Sequence, residues 1–434
     1  MIRISIAAVA LALAACGGGG GGESPSTFAA ASATTPAPAP SSAAGPAPAA
    51  APAPAAAPAP AAPAAQLGLA ASTPDVANTT LGGNQAIRSV GALASGGHAV
   101  AWLSADASGT ASLFVQRYNV QGAKAGSETR IAYDVTAQEN PAVGVLRDGS
   151  VVVASVKGVA DSSTVNWSVF ARRFDANGAV TGNDTVIATF TETPVGAAVH
   201  RYLAQPTLLA LSDGGVAIGW ASVDEDSTGK VNALHAQRFD AQLNAVGSRV
   251  DFAANGGDRN IALKLVAMTN GDFIAGATHR FQGIPYVQYR IGTRDIGPLF
   301  DMNAGLPEFN TTLLPLADGR LALWSTGSSG GYMQLLDAAG RPMSAAAMIS
   351  VVPETAMALP DGGWVTVVRQ MPGLPNLAQR YDAAGAPVGN AIEAAEGMSR
   401  PLVTSSMGSG FALGWTFTGA LGDADVRTQR IDAR

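Results

Sequence analysis

The chain has 434 residues, 47% hydrophobic but only 6% aromatic, because alanine dominates the apolar count. Its net charge is −6, from 32 acidic and 26 basic side chains with no basic cluster, which argues against a nucleic-acid partner, since neutralising phosphates takes a concentrated Lys/Arg patch. A single cysteine rules out a disulfide framework and any multi-cysteine metal site, and the Gly-rich, weakly charged remainder suits short strands and tight turns.

Residues 1–15, MIRISIAAVALALAA, place Arg3 ahead of an apolar run from Ile4 to Ala15. At 1.5 Å per residue this run is too short for ~30 Å of hydrocarbon, so it reads as a secretory signal. It ends in Leu13-Ala14-Ala15-Cys16, which resembles the lipobox of bacterial lipoproteins. The resemblance implies cleavage before Cys16 and acylation of its thiol, giving the chain a membrane anchor. Gly17 stands where lipoproteins retained at the inner membrane often carry Asp. That implies the outer membrane, on its periplasmic side or at the cell surface. Residues 16–65 read as the lipidated cysteine and a disordered tether. Gly17–Gly22 is flexible, and the following Ala/Pro alternation denies alanine its helix propensity.

From residue 66 a repeat governs the chain. A turn element recurs as Ser95-Gly96-Gly97, Asp148-Gly149, Asp213-Gly214-Gly215, Asn270-Gly271, Asp318-Gly319, Asp361-Gly362-Gly363 and Ser409-Gly410, at spacings of 43 to 65 residues. Each lies between apolar runs, the pattern of a β-hairpin. In four copies a tryptophan falls five residues after the last glycine: Trp102, Trp220, Trp324 and Trp415. The strands leading to them alternate large residues with Ala or Gly, as in Val216-Ala217-Ile218-Gly219-Trp220, and such strands pack closely on both faces. A third strand ends in Gln-Arg-aromatic-Asp, as at Gln237-Arg238-Phe239-Asp240 and Gln379-Arg380-Tyr381-Asp382. The motif is reduced to Gln334 and Asp337 in the fifth copy and degraded to Gln288-Tyr289-Arg290-Ile291 in the fourth. A turn and a fourth strand follow.

Four strands per unit and seven units predict an all-β fold, a seven-bladed β-propeller of four-stranded antiparallel blades over residues 66–434. The last unit lacks a fourth strand, and the segment Leu67–Ala77 is available to supply it, closing the ring with an N-terminal strand. A β-sandwich array is the alternative. The pattern Asp-Gly-Gly, apolar strand, Trp, then Gln-Arg-Phe-Asp-Ala-x-Gly-x-Val-Gly resembles repeats of large secreted or surface bacterial proteins and of bacterial lipoproteins. Residues 209–247 match it best. The resemblance implies a propeller in a cell-envelope setting and carries no catalytic residues.

Repetition argues against chemistry. The turn aspartates are expected to form turns, and the strand-ending aspartates to accept from backbone amides. The repeated arginines are expected to stack on the tryptophans or pair with aspartates. No catalytic residue, metal ligand or cofactor site emerges. Irregularity is the better guide: the longest interval holds an apparent insertion over Thr189–Tyr202, TFTETPVGAAVHRY. This insertion, the loop around Asp224 and Asp226, and a loop at His279-Arg280 are expected on one rim. The candidate binding residues are therefore His200, Arg201, Tyr202, Asp224, Asp226, His279, Arg280 and Tyr286. Together these features point to a lipid-anchored binding or scaffold module of the cell envelope, facing a protein or glycan. A polysaccharide hydrolase or lyase using His200, Arg201, Tyr202 and Asp224, and an adhesin-like surface protein, are the alternatives.

Overall fold

Short strands begin and end at the predicted turns throughout the computed structural model. It describes residues 68–79, 84–106, 108–136, 141–160, 164–192, 200–225, 230–253, 263–268, 270–281, 284–291, 294–298, 311–327, 330–345, 347–349, 353–369, 374–395, 402–403, 410–418 and 424–433. These residues contain no helix and lie within the unit Ala62–Arg434. Two short strands, β1 (Leu69–Ala71) and β2 (Asp75–Val76), come first. Six antiparallel sheets of four consecutive strands follow.

The first blade is β3 (Asn84–Ala92), β4 (His98–Ala105), β5 (Thr110–Tyr118) and β6 (Thr129–Thr136). The second is β7 (Ala142–Val145), β8 (Val151–Ala160), β9 (Val165–Phe174) and β10 (Val180–Glu192). The third is β11 (His200–Ala210), β12 (Val216–Glu225), β13 (Lys230–Phe239) and β14 (Ala245–Ala253). The fourth is β15 (Leu263–Ala267), β16 (Phe273–Phe281), β17 (Ile284–Ile291) and β18 (Arg294–Pro298), a regular sheet despite its degraded repeat. The fifth is β19 (Thr311–Pro315), β20 (Leu321–Gly327), β21 (Gly330–Leu336) and β22 (Ala347–Ile349). The sixth is β23 (Thr355–Ala358), β24 (Trp364–Val368), β25 (Asn376–Tyr381) and β26 (Pro387–Ala394).

The sequence predicts seven four-stranded blades, the last completed by one N-terminal strand; the structure has six four-stranded blades, and the remaining sheet differs. It has five strands: β27 (Leu402–Val403), β28 (Gly410–Thr418) and β29 (Ala424–Ala433), with both β1 and β2 paired to β29. Two strands rather than one take its outer edge because the N-terminal segment is interrupted at 72–74, where Ser72 donates its amide to Arg430 at 2.8 Å. The inner strands β3, β7, β11, β15, β19, β23 and β27 pack in sequence, each on the next, and β27 and β28 pack on β3.

Side-chain size sets the spacing between blades. A Cβ on Gly219 would lie 2.2 Å from Leu263 Cδ2 of the next blade, and one on Gly414 would lie 2.5 Å from Val90 Cγ2. The adjoining tryptophans are buried, Trp102, Trp220, Trp324 and Trp415 alike. The sixth blade has no tryptophan at that position. There Trp364, the first residue after the turn, stacks on Tyr381 at 5.7 Å and meets Trp324 edge-on at 6.2 Å.

Several blades hold their turns by a shared polar scheme. The turn aspartates Asp148, Asp213, Asp318 and Asp361 accept through Oδ1 from the amide two residues on. Asp175, Asp240, Asp337 and Asp382 accept two amides each, two and four residues on. Gln237 and Gln379 sit at register breaks, so their side chains supply bonds that the ladder omits. Gln237 donates to Val246 O at 2.9 Å, Gln116 to Gly126 O at 3.1 Å and Gln334 to Ser344 O at 2.8 Å. Gln429 donates in the same way to Ser72 O at 2.7 Å, on the N-terminal segment.

The second turn glycine is required by space rather than by its φ. A Cβ on Gly97 would stand 2.0 Å from the Tyr118 carbonyl oxygen, a backbone atom that cannot move aside. Gly97→Ala is therefore expected to cost about 1–3 kcal/mol and to lower the thermal midpoint. Ser95→Ala at the exposed turn tip should leave the midpoint within about 0.5 kcal/mol of the parent. Equal midpoints for the two variants would contradict this packing.

Candidate functional site

The two ends of the blades differ in what their polar residues do. At the end carrying the Asp-Gly turns, three of the repeated arginines pair with the turn aspartates. Arg173 meets Asp148 Oδ2 at 2.6 Å, Arg380 meets Asp361 Oδ2 at 2.5 Å, and Arg238 pairs with Asp213. Asp148 and Asp213 are held below the usual carboxylate range: burial raises them, but amide hydrogen bonds and the arginines outweigh it. Arginines also tie one blade to the next. Arg117 donates to Gly149 O at 2.8 Å, and Arg173 donates to Ala241 O.

A groove of about 560 Å³ opens at this end, between the second and third blades. Its carboxylates are already satisfied from within: Asp148 by Arg173, and Asp184 by a two-pronged contact from Arg172 at 2.5 and 2.7 Å.

The predicted binding residues lie at the opposite end. His200, Arg201 and Tyr202 open the inner strand β11, and Asp224 closes β12. The register sets Arg201 opposite Asp224, Tyr202 opposite Val223, and His200 opposite Glu225. In the next blade His279 and Arg280 close β16, and Tyr286 lies on β17 opposite His279. The Asp-Gly turns of these two blades adjoin, since Gly271 lies beside Ser212 and Asp213, so the other ends of the strands face the same way.

Two expectations about loops are corrected. Thr189–Glu192 belong to β10 and His200–Tyr202 to β11, so half of the apparent insertion is strand, and 193–199 lie outside the described residues. His279 and Arg280 are likewise strand residues. The strands continue because Thr189, Phe190, Thr191 and Tyr202 favour extended backbone. Asp226, Cys16 and the tether lie outside the described residues.

Among the described residues no three His, Cys, Asp or Glu are arranged to hold a metal ion. His98 is buried where β4 of the first blade meets β29. His235 has side-chain partners on both ring nitrogens, Ser222 and Asp251, which sequence reading did not single out. Separations of 13 and 16 residues across three strands leave no local motif. Only the strand register, with the period-two alternation of side chains, would have aligned them.

No family model matches the chain, and no curated protein matches it. Among solved structures, a protein of unknown function from Dyadobacter fermentans is similar at 12% identity, with a TM-score of 0.47, over 85% of this chain and 100% of that one. The polysaccharide lyase Uly1 is similar at 11% identity, TM-score 0.46, over 82% and 91%. A further likeness is an uncharacterised protein from Listeria monocytogenes, at 8% identity, TM-score 0.42, over 78% and 94%. Likeness at this level says nothing about activity. The chain's own strands define the class: a β-propeller.

Proposed function

We propose that this chain is a lipid-anchored binding module of the bacterial cell envelope. Cys16 carries the anchor at the outer membrane, residues 17–65 tether it, and the propeller presents one face to a protein or a glycan. In this reading the five-stranded sheet is the seventh blade, and the pairing of β1 and β2 with β29 closes the ring. One observation carries the choice of face. The repeated polar residues at the Asp-Gly end are consumed by turns and blade-to-blade ties, as Asp148 and Arg173 are. The opposite end of the third and fourth blades carries the residues outside the repeat, with Arg201 set opposite Asp224 and His279 opposite Tyr286. Rigid blades with variable ends are where propellers and similar scaffolds place recognition.

The test pairs two variants in cells. Cys16→Ala should abolish incorporation of labelled palmitate and release the protein from membranes. Arg201→Ala with Arg280→Ala should leave lipidation and folding intact while removing the protein or glycan recovered after crosslinking. Labelling that survives Cys16→Ala sinks the anchor, and undiminished crosslinking in the double variant sinks the face.

A further inference from the structure

On β12 the alternation of side chains sends Val216, Ile218, Trp220 and Ser222 toward the second blade. Val216 and Ile218 pack there with Val152 and Ala154, and Trp220 packs with Val169, Trp167 and Phe190. The register sets Trp220 opposite His235, and His235 opposite Asp251, so all three strands contribute to one face. The result is an unbroken chain of hydrogen bonds. Ser222 Oγ lies 2.9 Å from His235 Nε2, and His235 Nδ1 lies 2.6 Å from Asp251 Oδ1. Trp220 stacks on the imidazole, ring centroids 5.3 Å apart, and fixes its plane. Arg249 forks onto both oxygens of Asp251, at 2.6 and 3.1 Å.

The other blades show that the fold does not need these residues. The pair corresponding to His235 and Asp251 is Phe114 and Arg130 in the first blade, and Met333 and Ala347 in the fifth. Trp102 stacks on Phe114 at 5.9 Å just as Trp220 stacks on His235. An aromatic ring or a thioether satisfies the packing in those two blades, so the polar chain of the third blade is not a requirement of the fold. The ladder also breaks register between Ser222 and Val223, and such bulges re-aim side chains.

We infer that Ser222, His235 and Asp251 form a nucleophilic site that hydrolyses carboxylic esters with a small apolar acyl group. Asp251 stays ionised: burial raises its pKa, but the hydrogen bonds from Arg249 and His235 outweigh this and hold it low. An ionised carboxylate accepts the Nδ1 proton, which leaves the Nε2 lone pair toward the Ser222 hydroxyl. That is the tautomer a general base requires. As Ser222 Oγ bonds to the acyl carbon, its proton passes to Nε2, and Asp251 stabilises the imidazolium. The proton then moves to the alkoxide as the ester C–O bond breaks, and the alcohol leaves. Water attacks the acyl-serine and gives a proton to His235. The acyl–Oγ bond breaks, His235 returns the proton to Ser222, and the carboxylic acid departs. Trp167 and Phe190 of the second blade pack with Trp220, two residues from Ser222 on β12, so the acyl group this site favours is apolar. Ser222 and His235 are the catalytic residues; Asp251 and Arg249 are positioning residues.

The test uses the full-length protein with a fluorophosphonate probe, peptide mass spectrometry and p-nitrophenyl butyrate hydrolysis. The probe should modify Ser222, and Ser222→Ala should abolish both the adduct and turnover. His235→Phe, the residue the first blade carries at this position, should keep the thermal midpoint and slow both reactions by about 100-fold or more. Asp251→Asn should slow them comparably, and Asp251→Glu should restore most of the rate, a distinction that a purely structural carboxylate would not produce. An unmodified Ser222 in the folded protein overturns the inference. So does modification at the same rate in His235→Phe, which marks ordinary surface-serine reactivity.

Discussion

Deleting residues 67–79 is expected to abolish the stable propeller, although these residues lie outside the six four-stranded blades. Within this segment Ala77 and Asn78 are buried. Asn78 Oδ1 accepts from the Val426 amide at 2.8 Å, and the Ala77 amide donates to Val426 O at 2.7 Å. Gln429 donates to Ser72 O at 2.7 Å, and the Tyr118 hydroxyl donates to Asp75 at 2.9 Å. Deletion strips all of these partners at once and leaves the ten-residue strand β29 with a bare edge. Each buried polar group left unsatisfied costs about 1–3 kcal/mol, and a typical domain holds only about 5–15 kcal/mol in total. A bare edge also invites pairing between molecules. The truncated protein should therefore aggregate or lose its cooperative melt, and a synthetic peptide of residues 66–79 should restore the melt. A truncated protein with the parent's thermal midpoint would show that the segment is dispensable. Under the proposed anchoring, this seam is also where tension from the membrane enters the ring.

The second large effect is a dependence on pH centred on His98, at the same seam. Its imidazole lies parallel to the Tyr118 ring, centroids 4.5 Å apart, and Nε2 lies 3.1 Å from Thr428 Oγ1. Thr428 gives its own hydroxyl proton to Leu413 O at 2.8 Å, so Nε2 must be the donor. Nδ1 is then an unprotonated, buried nitrogen without a hydrogen-bond partner among the described residues. Burial, and after it the charge of Arg430, lowers the His98 pKa from 6.5 to about 4. The sign follows from linkage. The unfolded chain takes up this proton below pH 6.5, while the folded chain resists it until about pH 4. The contribution is thus complete above pH 6.5 and falls away as the pH drops toward 4, by roughly 3 kcal/mol at 1.36 kcal/mol per pKa unit. The turn aspartates Asp148, Asp213 and Asp318, held below 3.8, lose their contribution only at lower pH. His98→Phe keeps a ring against Tyr118 and should flatten the urea midpoint between pH 7.5 and 4.5. Identical pH profiles for parent and variant would refute this role for His98.

Much of the blade architecture was legible because its signals are local. A turn needs its Gly and Asp within four residues, and period two is visible in any strand. Thus the turn aspartates, the amide-accepting aspartates and the supply of an edge by the N-terminal segment could all be read from the chain. What could not be read depends on register across strands. Arg173 meets Asp148 from 25 residues away, and Arg117 reaches into the next blade. The candidate site suffered most. Spacing flagged the stretch around His200, but a longer interval does not distinguish a loop from two long strands with bulges. His235 was visible only as an isolated histidine, since both of its partners come from neighbouring strands.

The central structural claim is that β1 and β29 share one sheet in a fixed register. Replacing Cys16 with serine and placing cysteines at Leu69 and Ala433 tests it most directly. These positions face each other across β1 and β29, within the ~4.4–6.8 Å Cα separation a disulfide accepts. Mild oxidation should crosslink this pair nearly completely and raise the thermal midpoint. The diagonal pair at Ala71 and Ala433, about 7–8 Å apart, should crosslink poorly. Equal crosslinking of both pairs, or of neither, would contradict the shared sheet.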